Sequence, residues 1–291
     1  CLDPKDVEKK ITKKTRAIIV VDIFGQPYDA DVINAIALKH NLLVIEDCAQ
    51  APGGMLNGKP AGTLGDIGIF SLNYHKHIHT GEGGVIVTND DDLAQKCRLI
   101  RNHAEAVVEG MKYTDLTNMI GFNYRMTEIE AAIGRVQLKK LKKLNESRLK
   151  NVEYFEERIS NISAISMPKV RPFAKHSYYI HACRFDSKLA GIQRDVFINA
   201  VRAELPFNEL REKEGVKLGN GYVRPLYLQP IFQKKIAYGS KGYPFSESNV
   251  NYYKGMCPVT EKMHFSELFT HEFILPSMKA KDIDDVVSAF E

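Results

Sequence analysis

The sequence predicts an α/β protein, with a larger domain on a mostly parallel sheet and a smaller α+β domain after it. Three observations predict this. Ala17-Ile18-Ile19-Val20-Val21 is a continuous apolar, β-branched run, the pattern of a strand covered on both faces. A helical stretch and a second apolar run, Leu42-Leu43-Val44-Ile45, follow at short spacing, and strand–helix–strand with short links is the βαβ unit of a parallel sheet. The chain has 291 residues, enough for about two domains of ~150 residues. We place the larger over residues 1–145 and the smaller over 146–291.

The elements follow in order. Residues 3–14 read as a short helix, with Asp3 as its cap and Val7 and Ile11 along it. After the strand Ala17–Val21, residues 30–40 set Val32, Ile33, Ile36 and Ala37 on one helical face. The strand at 42–45 ends in Glu46-Asp47, so Asp47 emerges at the carboxyl end of a parallel strand. That edge is where open α/β sheets bind ligands. Strands at 65–70 and 85–88 flank a polar, glycine-bounded loop with Lys76 in its middle. Residues 90–102 read as a helix capped by Asn89 or Asp90, with Leu93, Cys97 and Ile100 inward. Residues 103–122 are weakly periodic and read as a long loop, a kind that is often functional. Thr127 starts a long helix, with Glu130 completing a capping box. Ile129, Ala132, Ile133, Val136, Leu138 and Leu141 form its apolar side, and the pattern runs to about residue 159. Downstream, 178–185 and 273–275 read as strands, and Arg194–Glu204, 250–263 and Ala280–Phe290 as helices. Residues 205–248, rich in Gly, Pro and aromatics, resist assignment.

Composition narrows the function classes. Hydrophobic residues make up 44% and charged residues 26%, as in a soluble globular protein. The formal net charge of +4 is too small for this length to point to nucleic acid. The row of Lys139, Lys140, Lys142, Lys143 and Arg148 reads as a solvated helix face. No apolar run approaches a membrane span, and there is no signal peptide. Five scattered cysteines form no CxxC pair, so neither a zinc site nor a disulfide framework is indicated. Reduced thiols fit the cytoplasm.

Lys76 gathers the chemistry. It lies five residues after Ser71 and five before Gly81 of Gly81-Glu82-Gly83-Gly84, downstream of Asp47. A lysine can form a Schiff base with a carbonyl cofactor. Pyridoxal phosphate (PLP) needs such a lysine, an acid to keep its pyridine nitrogen protonated, and donors for its phosphate. Lysine, aspartate and serine are common, so spacing alone leaves open a plain loop lysine, a strand-end aspartate and turn residues.

Five ordered stretches carry more information. They are Ile45-Glu46-Asp47-Cys48-Ala49-Gln50-Ala51, Phe70-Ser71 with Lys76, Thr80-Gly81-Glu82-Gly83-Gly84, Arg101-Asn102-His103, and Gly121-Phe122-Asn123-Tyr124-Arg125-Met126. Together they closely resemble the DegT/DnrJ/StrS family, fold type I PLP-dependent sugar aminotransferases. The resemblance runs along essentially the whole chain and is looser in its second half. It implies that Lys76 is the Schiff-base lysine and proton carrier, and that Asp47 pairs with the pyridinium nitrogen. Gln50 would lie near the cofactor's 3-hydroxyl or ring face, and Ser71 would bind the phosphate. Asn123 would reach the phosphate across a homodimer interface, so that sites are shared. The substrates would be a keto sugar, nucleotide-linked, and glutamate or glutamine as amino donor, and no metal is implied.

The resemblance also frames alternatives. One branch of the family has histidine at the lysine position and acts as a sugar dehydratase. His75 and His77 miss that register by one residue, so His75, His77 and His79 read as loop polar groups, with substrate neighbours as the alternative. Family members carry a further region ahead of the strand at Ala17, including a Gly-Thr-containing turn for the phosphate and an aromatic on the ring. Nothing before Ala17 matches either, so the resemblance implies an N-terminally truncated member, and a non-catalytic PLP-binding fragment stands as a further reading. Candidates for a sugar pocket are His176, His181, Tyr222, Arg224, Tyr227 and Gln229, with core aromatics as the plain alternative for 222–227.

Overall fold

The computed structural model describes residues 1–104, 119–205, 218–272 and 274–291. Most of the expected loop at 103–122, part of the unassigned stretch 205–248, and Phe273 therefore lie outside the described residues. The chain divides into two compact units, one of Cys1–Leu149 with Val170–Tyr179 and the other of Lys150–Lys169 with Ile180–Glu291. Among the described residues, no helix is long and apolar enough to cross a membrane.

The first unit opens with helix α1 (Pro4–Lys10), shorter than expected. Asp3 caps it by accepting from the Lys5 amide at 2.9 Å. Strand β1 (Ala17–Val21), helix α2 (Ala30–Lys39) and strand β2 (Leu43–Asp47) then form the βαβ unit, and β1 and β2 pair in parallel. Small strands β3 (Met55–Leu56) and β4 (Lys59–Pro60) precede β5 (Ile67–Ser71) and β6 (Gly84–Val87). The main sheet runs β1-β2-β5-β6. β5 joins β2 in parallel and β6 returns antiparallel, so the sheet is mostly parallel.

One face of this sheet is well covered. Ile18, Val20 and Val44 form a buried cluster with Tyr28, Ile33, Ile36 and Ala37, and Val7 and Ile11 pack against it. Cover on the second face of β1, expected from its pattern, is not found among the described residues. Ile19 is 61% exposed and Val21 37%, in line with exposed Ile69 and Ile86 on β5 and β6. The cause is geometric: α2 supplies one packing layer, and side chains alternate between faces. Val32 of α2, expected inward, is likewise exposed.

Helix α3 (Asp91–Arg101) starts at Asp90, whose carboxylate accepts from the Leu93 amide at 2.8 Å. Its buried residue is Leu99, whereas Ile100, expected inward, is exposed. Helix α4 (Glu128–Arg158) begins with the expected capping box: Thr127 N donates to Glu130 Oε2 at 2.8 Å, and Glu130 N donates to Thr127 Oγ1 at 3.2 Å. The apolar side of its first turns is mostly exposed, with Ile129 at 75% and Val136 at 53%. Farther along, buried Asn145 donates to the Pro52 carbonyl at 2.9 Å.

Strand β7 (Ile165–Ser166) follows in the second unit. Strand β8 (Ala174–Lys175) then pairs with β3 in the first unit. Strand β9 (His181–Phe185), helices α5 (Ser187–Ala190) and α6 (Arg194–Glu204), and strands β10 (Leu218–Asn220) and β11 (Leu268–His271) complete the second unit's framework. Its antiparallel sheet runs β10-β11-β9-β7. Of the strand expected at 273–275, Phe273 lies outside the described residues and Ile274 and Leu275 are not in a strand; it is Leu268–His271 that pairs with β9. The helix expected over 250–263 starts only at Pro258. Gly255, with φ of +102°, breaks the backbone ahead of it. The C-terminal helix Ala280–Phe290 forms as expected and buries Ile283, Val286, Val287 and Phe290.

Candidate active site

The first unit gathers its polar groups at the carboxyl ends of its parallel strands. Asp47 closes β2, and its Oδ1 accepts from the Ala49 amide at 3.0 Å as the chain turns away. Its neighbour Glu46 points to the opposite, fully buried face, where Oε2 accepts from the Leu64 and Gly65 amides at 3.0 and 3.3 Å. Two consecutive acids thus take different roles by strand alternation alone.

Ser71 closes β5 opposite Gly84. Beyond it, Asn73 organises the loop. Its side-chain amide donates to Glu82 at 2.8 Å, its Oδ1 accepts from the His75 amide at 3.1 Å, and its carbonyl accepts from the Lys76 amide at 2.9 Å. Ser71 Oγ accepts from the Asn73 amide at 3.3 Å. The loop closes where Leu72 N donates to the Gly83 carbonyl and Thr80 N to the Leu72 carbonyl, at 2.9 and 3.0 Å. Gly81 and Gly83 have φ of +91° and +143°, angles that side-chain-bearing residues rarely adopt. This is why the turn is glycine-rich.

Lys76 emerges half-buried from this loop, with Nζ 4.6 Å from the centre of the Tyr179 ring. Burial lowers its pKa below the usual lysine value, and the charge of Asp47 opposes that shift. Lys76 and Asp47 are therefore within electrostatic reach of each other. Gln50 stands beside the same strand ends, but its Oε1 accepts from the Phe24 amide at 2.7 Å, and its carbonyl accepts from Ser177 Oγ at 3.3 Å. It holds two neighbouring segments in place.

Asn123 belongs to a separate, exposed cluster. It forms a backbone bridge with Asn102. Around it His103 N donates to the Phe122 carbonyl and Tyr124 N to the Arg101 carbonyl, both at 2.9 Å. Arg125 Nη1 lies 2.8 Å from Asn102 Oδ1 and 2.7 Å from His103 Nε2. A side chain at Gly121 would collide with the His103 backbone. The Arg-Asn-His and Gly-Phe-Asn-Tyr-Arg stretches, far apart in sequence, are thus one surface.

Two groups, Tyr179 and Asp22, escaped the sequence reading, and His77, expected as a loop polar group, is enclosed instead. Tyr179 faces Lys76, and nothing in the sequence marks it. His77 is enclosed beside Tyr179, with ring centres 5.8 Å apart, and burial, aided by the Arg148 charge, pushes its pKa down to about 3. Burial thus favours its neutral form. His75 and His79 are exposed, and His75 lies against Tyr74. Asp22 is fully buried, and its Oδ1 accepts from the Tyr28 amide at 2.8 Å. Burial, and then the charge of Glu46, push its pKa up to about 8. It follows the apolar run Ala17–Val21 as Asp47 follows its own strand, so the same rule applied twice would have found it. Of the sugar-pocket candidates, His176 is buried in the first unit, with Nδ1 accepting from the Tyr178 amide. His181 is not a lining residue, since it lies in the core of the second unit at 3% exposure.

Residues 1–291 match the DegT/DnrJ/EryC1/StrS aminotransferase family. The chain belongs to this family. GDP-perosamine synthase of Caulobacter vibrioides is 40% identical over 190 residues, which are 65% of this chain and 50% of that protein. The chain therefore spans about half the length of this curated relative in the matched region. The structure of DesV from S. venezuelae superposes with a TM-score of 0.79 at 26% identity, covering 99% of this chain and 67% of DesV. An E. coli GDP-4-keto-6-deoxy-D-mannose-3-dehydratase with bound hydrated PLP shares the fold, with a TM-score of 0.76 at 22% identity over 100% of this chain and 71% of the dehydratase. The fold is that of the fold type I PLP enzymes. Within the family frame, the motif residues of this chain occupy the strand ends and the two loops described above.

Proposed function

We propose that this chain acts as a cytoplasmic, homodimeric aminotransferase that uses PLP, held by Lys76, to move an amino group from glutamate or glutamine onto a nucleotide-linked keto sugar. One observation carries the reading. A half-buried lysine with lowered pKa stands over an aromatic ring and within reach of a strand-end aspartate, on a loop closed by glycine turns.

The residues present fit PLP. Lys76 is an amine that burial moves toward neutrality, as attack on an aldehyde requires. Asp47 is half-buried on the sheet face with the thinner cover, so it can hold a ring nitrogen protonated. Ser71, at the carboxyl end of its strand, offers a hydroxyl donor that suits a phosphate. When bound, PLP supplies an aldehyde that condenses with amines and a protonated ring that draws electrons from the reacting carbon. Lys76 would take a proton from that carbon and return it at the next position, and Tyr179 would keep the amine in place between the two. Gln50 holds Phe24 and Ser177 in place around the strand ends and would border the ring.

Sharing of sites between two copies is supported by Asn123, which is exposed in a surface with Phe122, Tyr124, Met126 and Ile129. The dehydratase reading requires histidine where this chain has Lys76. Cytoplasmic placement rests on free thiols at Cys48, Cys97, Cys183 and Cys257.

The test is to incubate the purified protein with PLP, reduce with borohydride, and map the modified residue by peptide mass. Modification at Lys76 is expected, and none there overturns the reading. Feeding a GDP-linked keto sugar with glutamate then separates the chemistries: an amino sugar supports transfer, a deoxy keto sugar the dehydratase.

A further inference from the structure

The second unit holds a polar cluster that the proposed reaction does not use. Side chains two apart on a strand share a face, so β9 presents His181 and Cys183 together, and antiparallel pairing sets His271 of β11 opposite His181. His181 Nδ1 is 2.6 Å from His271 Nε2 and 3.5 Å from Cys183 Sγ. The three donor atoms lie within 4.8 Å of one another, and the residues are 3%, 1% and 0% exposed.

A second layer orients the first. Glu156 Oε1 is 2.8 Å from His181 Nε2. A carboxylate accepts, so Nε2 carries the hydrogen and Nδ1 turns its lone pair toward the cluster. A carboxylate behind a ligating histidine is the usual support of a protein metal site. Met167 Sδ lies 3.8 Å from Cys183 Sγ. Phe155 packs edge-on against both histidines, with ring centres 5.7 and 5.1 Å away.

We propose that His181 Nδ1, His271 Nε2 and Cys183 Sγ form a buried site for a thiophilic d10 metal ion, Zn2+ or Cu+, with Glu156 orienting His181. Bond lengths of about 2.0 Å to nitrogen and 2.3 Å to sulfur at a tetrahedral angle put N and S about 3.5 Å apart, the spacing already present between His181 and Cys183. The two histidine nitrogens must open from a hydrogen bond to about 3.3 Å. On binding, the hydrogen on His271 Nε2 moves to Nδ1 and the Cys183 thiol releases its proton, so one proton leaves per ion bound. Met167 is placed to act as a soft fourth ligand, which would favour Cu+. The sequence could not reveal the site, because its ligands stand 88 residues apart, from Cys183 to His271, and form no spaced motif.

The test uses the full chain without a histidine tag, refolded with Zn2+, with Cu+ under anaerobic conditions, or with Co2+ as a spectroscopic probe, then desalted. About one ion per chain is expected by elemental analysis, together with a thiolate-to-cobalt charge-transfer band. Cys183→Ser and His271→Gln should each lower retained metal at least tenfold, and Glu156→Gln should weaken affinity about 10–100-fold. Met167→Leu lowers Cu+ retention if the ion is Cu+ and leaves Zn2+ retention unchanged. A wild-type chain that stays metal-free under all three loadings overturns the site, as does equal retention in the Cys183 and His271 variants. Should those variants fail to fold, the wild type decides: a thiolate-to-metal charge-transfer band is expected on loading with Co2+ or with Cu+, and its absence with both overturns the site.

Discussion

The two units handle buried polar chemistry in opposite ways. In the first, Lys76 and Asp47 sit on loops at strand ends, half-buried and within electrostatic reach of each other. In the second, His181, Cys183 and His271 sit within paired strands, sealed behind Phe155, Phe269 and Phe290. Groups on loops can meet a ligand, and partial burial tunes them without removing them from water. Groups on strands are shut off from bulk water, so each must be satisfied inside, by its neighbours or by an enclosed ion. The comparison separates residues whose loss should abolish chemistry from residues whose loss should unfold the chain.

The largest expected effect tests the open side. Lys76→Ala should reduce amino transfer by at least ~10^2–10^4-fold, the range of a lost general acid–base group, and abolish borohydride-trapped PLP. Thermal stability should stay within about 0.5 kcal/mol, since no core contact is lost. A variant that is clearly destabilised yet still transfers amino groups would reverse the contrast between the units.

Phe155→Ala tests the sealed side. Phe155 is fully buried and touches His181, His271 and Phe290, with ring centres 5.1–5.7 Å away. Its loss should destabilise the chain by about 3–5 kcal/mol, read as a lower denaturant midpoint by circular dichroism. An unchanged midpoint would mean that the cluster is not sealed by this ring.

Between these extremes lies Asp22, a buried acid in the otherwise open unit. Its folded pKa is raised to about 8 from an unfolded value of 3.8. A raised acid contributes its full stability below the unfolded pKa and loses it as pH rises through the folded one. The wild type should therefore weaken progressively between about pH 4 and pH 8. Glu46, Cys48 and Tyr28 are the ionisable groups acting on it. Asp22→Asn keeps an acceptor for the Tyr28 amide and gains a donor toward Glu46. The Tm advantage of the variant should grow with pH up to about 8 and level off above, at ~2–4 °C per kcal/mol relieved. A pH-independent difference would sink the assignment.

What the sequence made legible follows the same division. β1, β2, α6 and the C-terminal helix were readable because local hydrophobic pattern decides them. Asp47, Ser71 and Lys76 were readable because each is fixed by its own strand end. Whatever depends on contacts between distant segments was not. The exposure of Ile19 and Val21 depends on which layers pack against the sheet, which the β1 pattern does not encode. Leu268–His271 forms the strand where Ile274 and Leu275 do not, because pairing with β9, not apolar content, selects it. Tyr179 reaches Lys76 from 103 positions away, and no local rule records that. The cluster around His181 is hidden for the same reason.

The smallest effect concerns a local rule in isolation. Thr127 caps α4 on an exposed surface, where Thr127 N and Oγ1 both donate to Glu130 Oε2 at 2.8 Å. Thr127→Ala removes the hydroxyl that accepts from the Glu130 amide, at a cost of about 1 kcal/mol. Thr127→Ser retains both interactions and should be near neutral. If the helix start is also held by the hydrogen bond from Arg125 Nη1 to Asn102 Oδ1, the alanine variant will lose less than this, and Asn102→Ala in the same background will lose more than alone. Such a double-mutant cycle would show whether the exposed Asn123 surface is positioned by its own turn or by the helix that follows it.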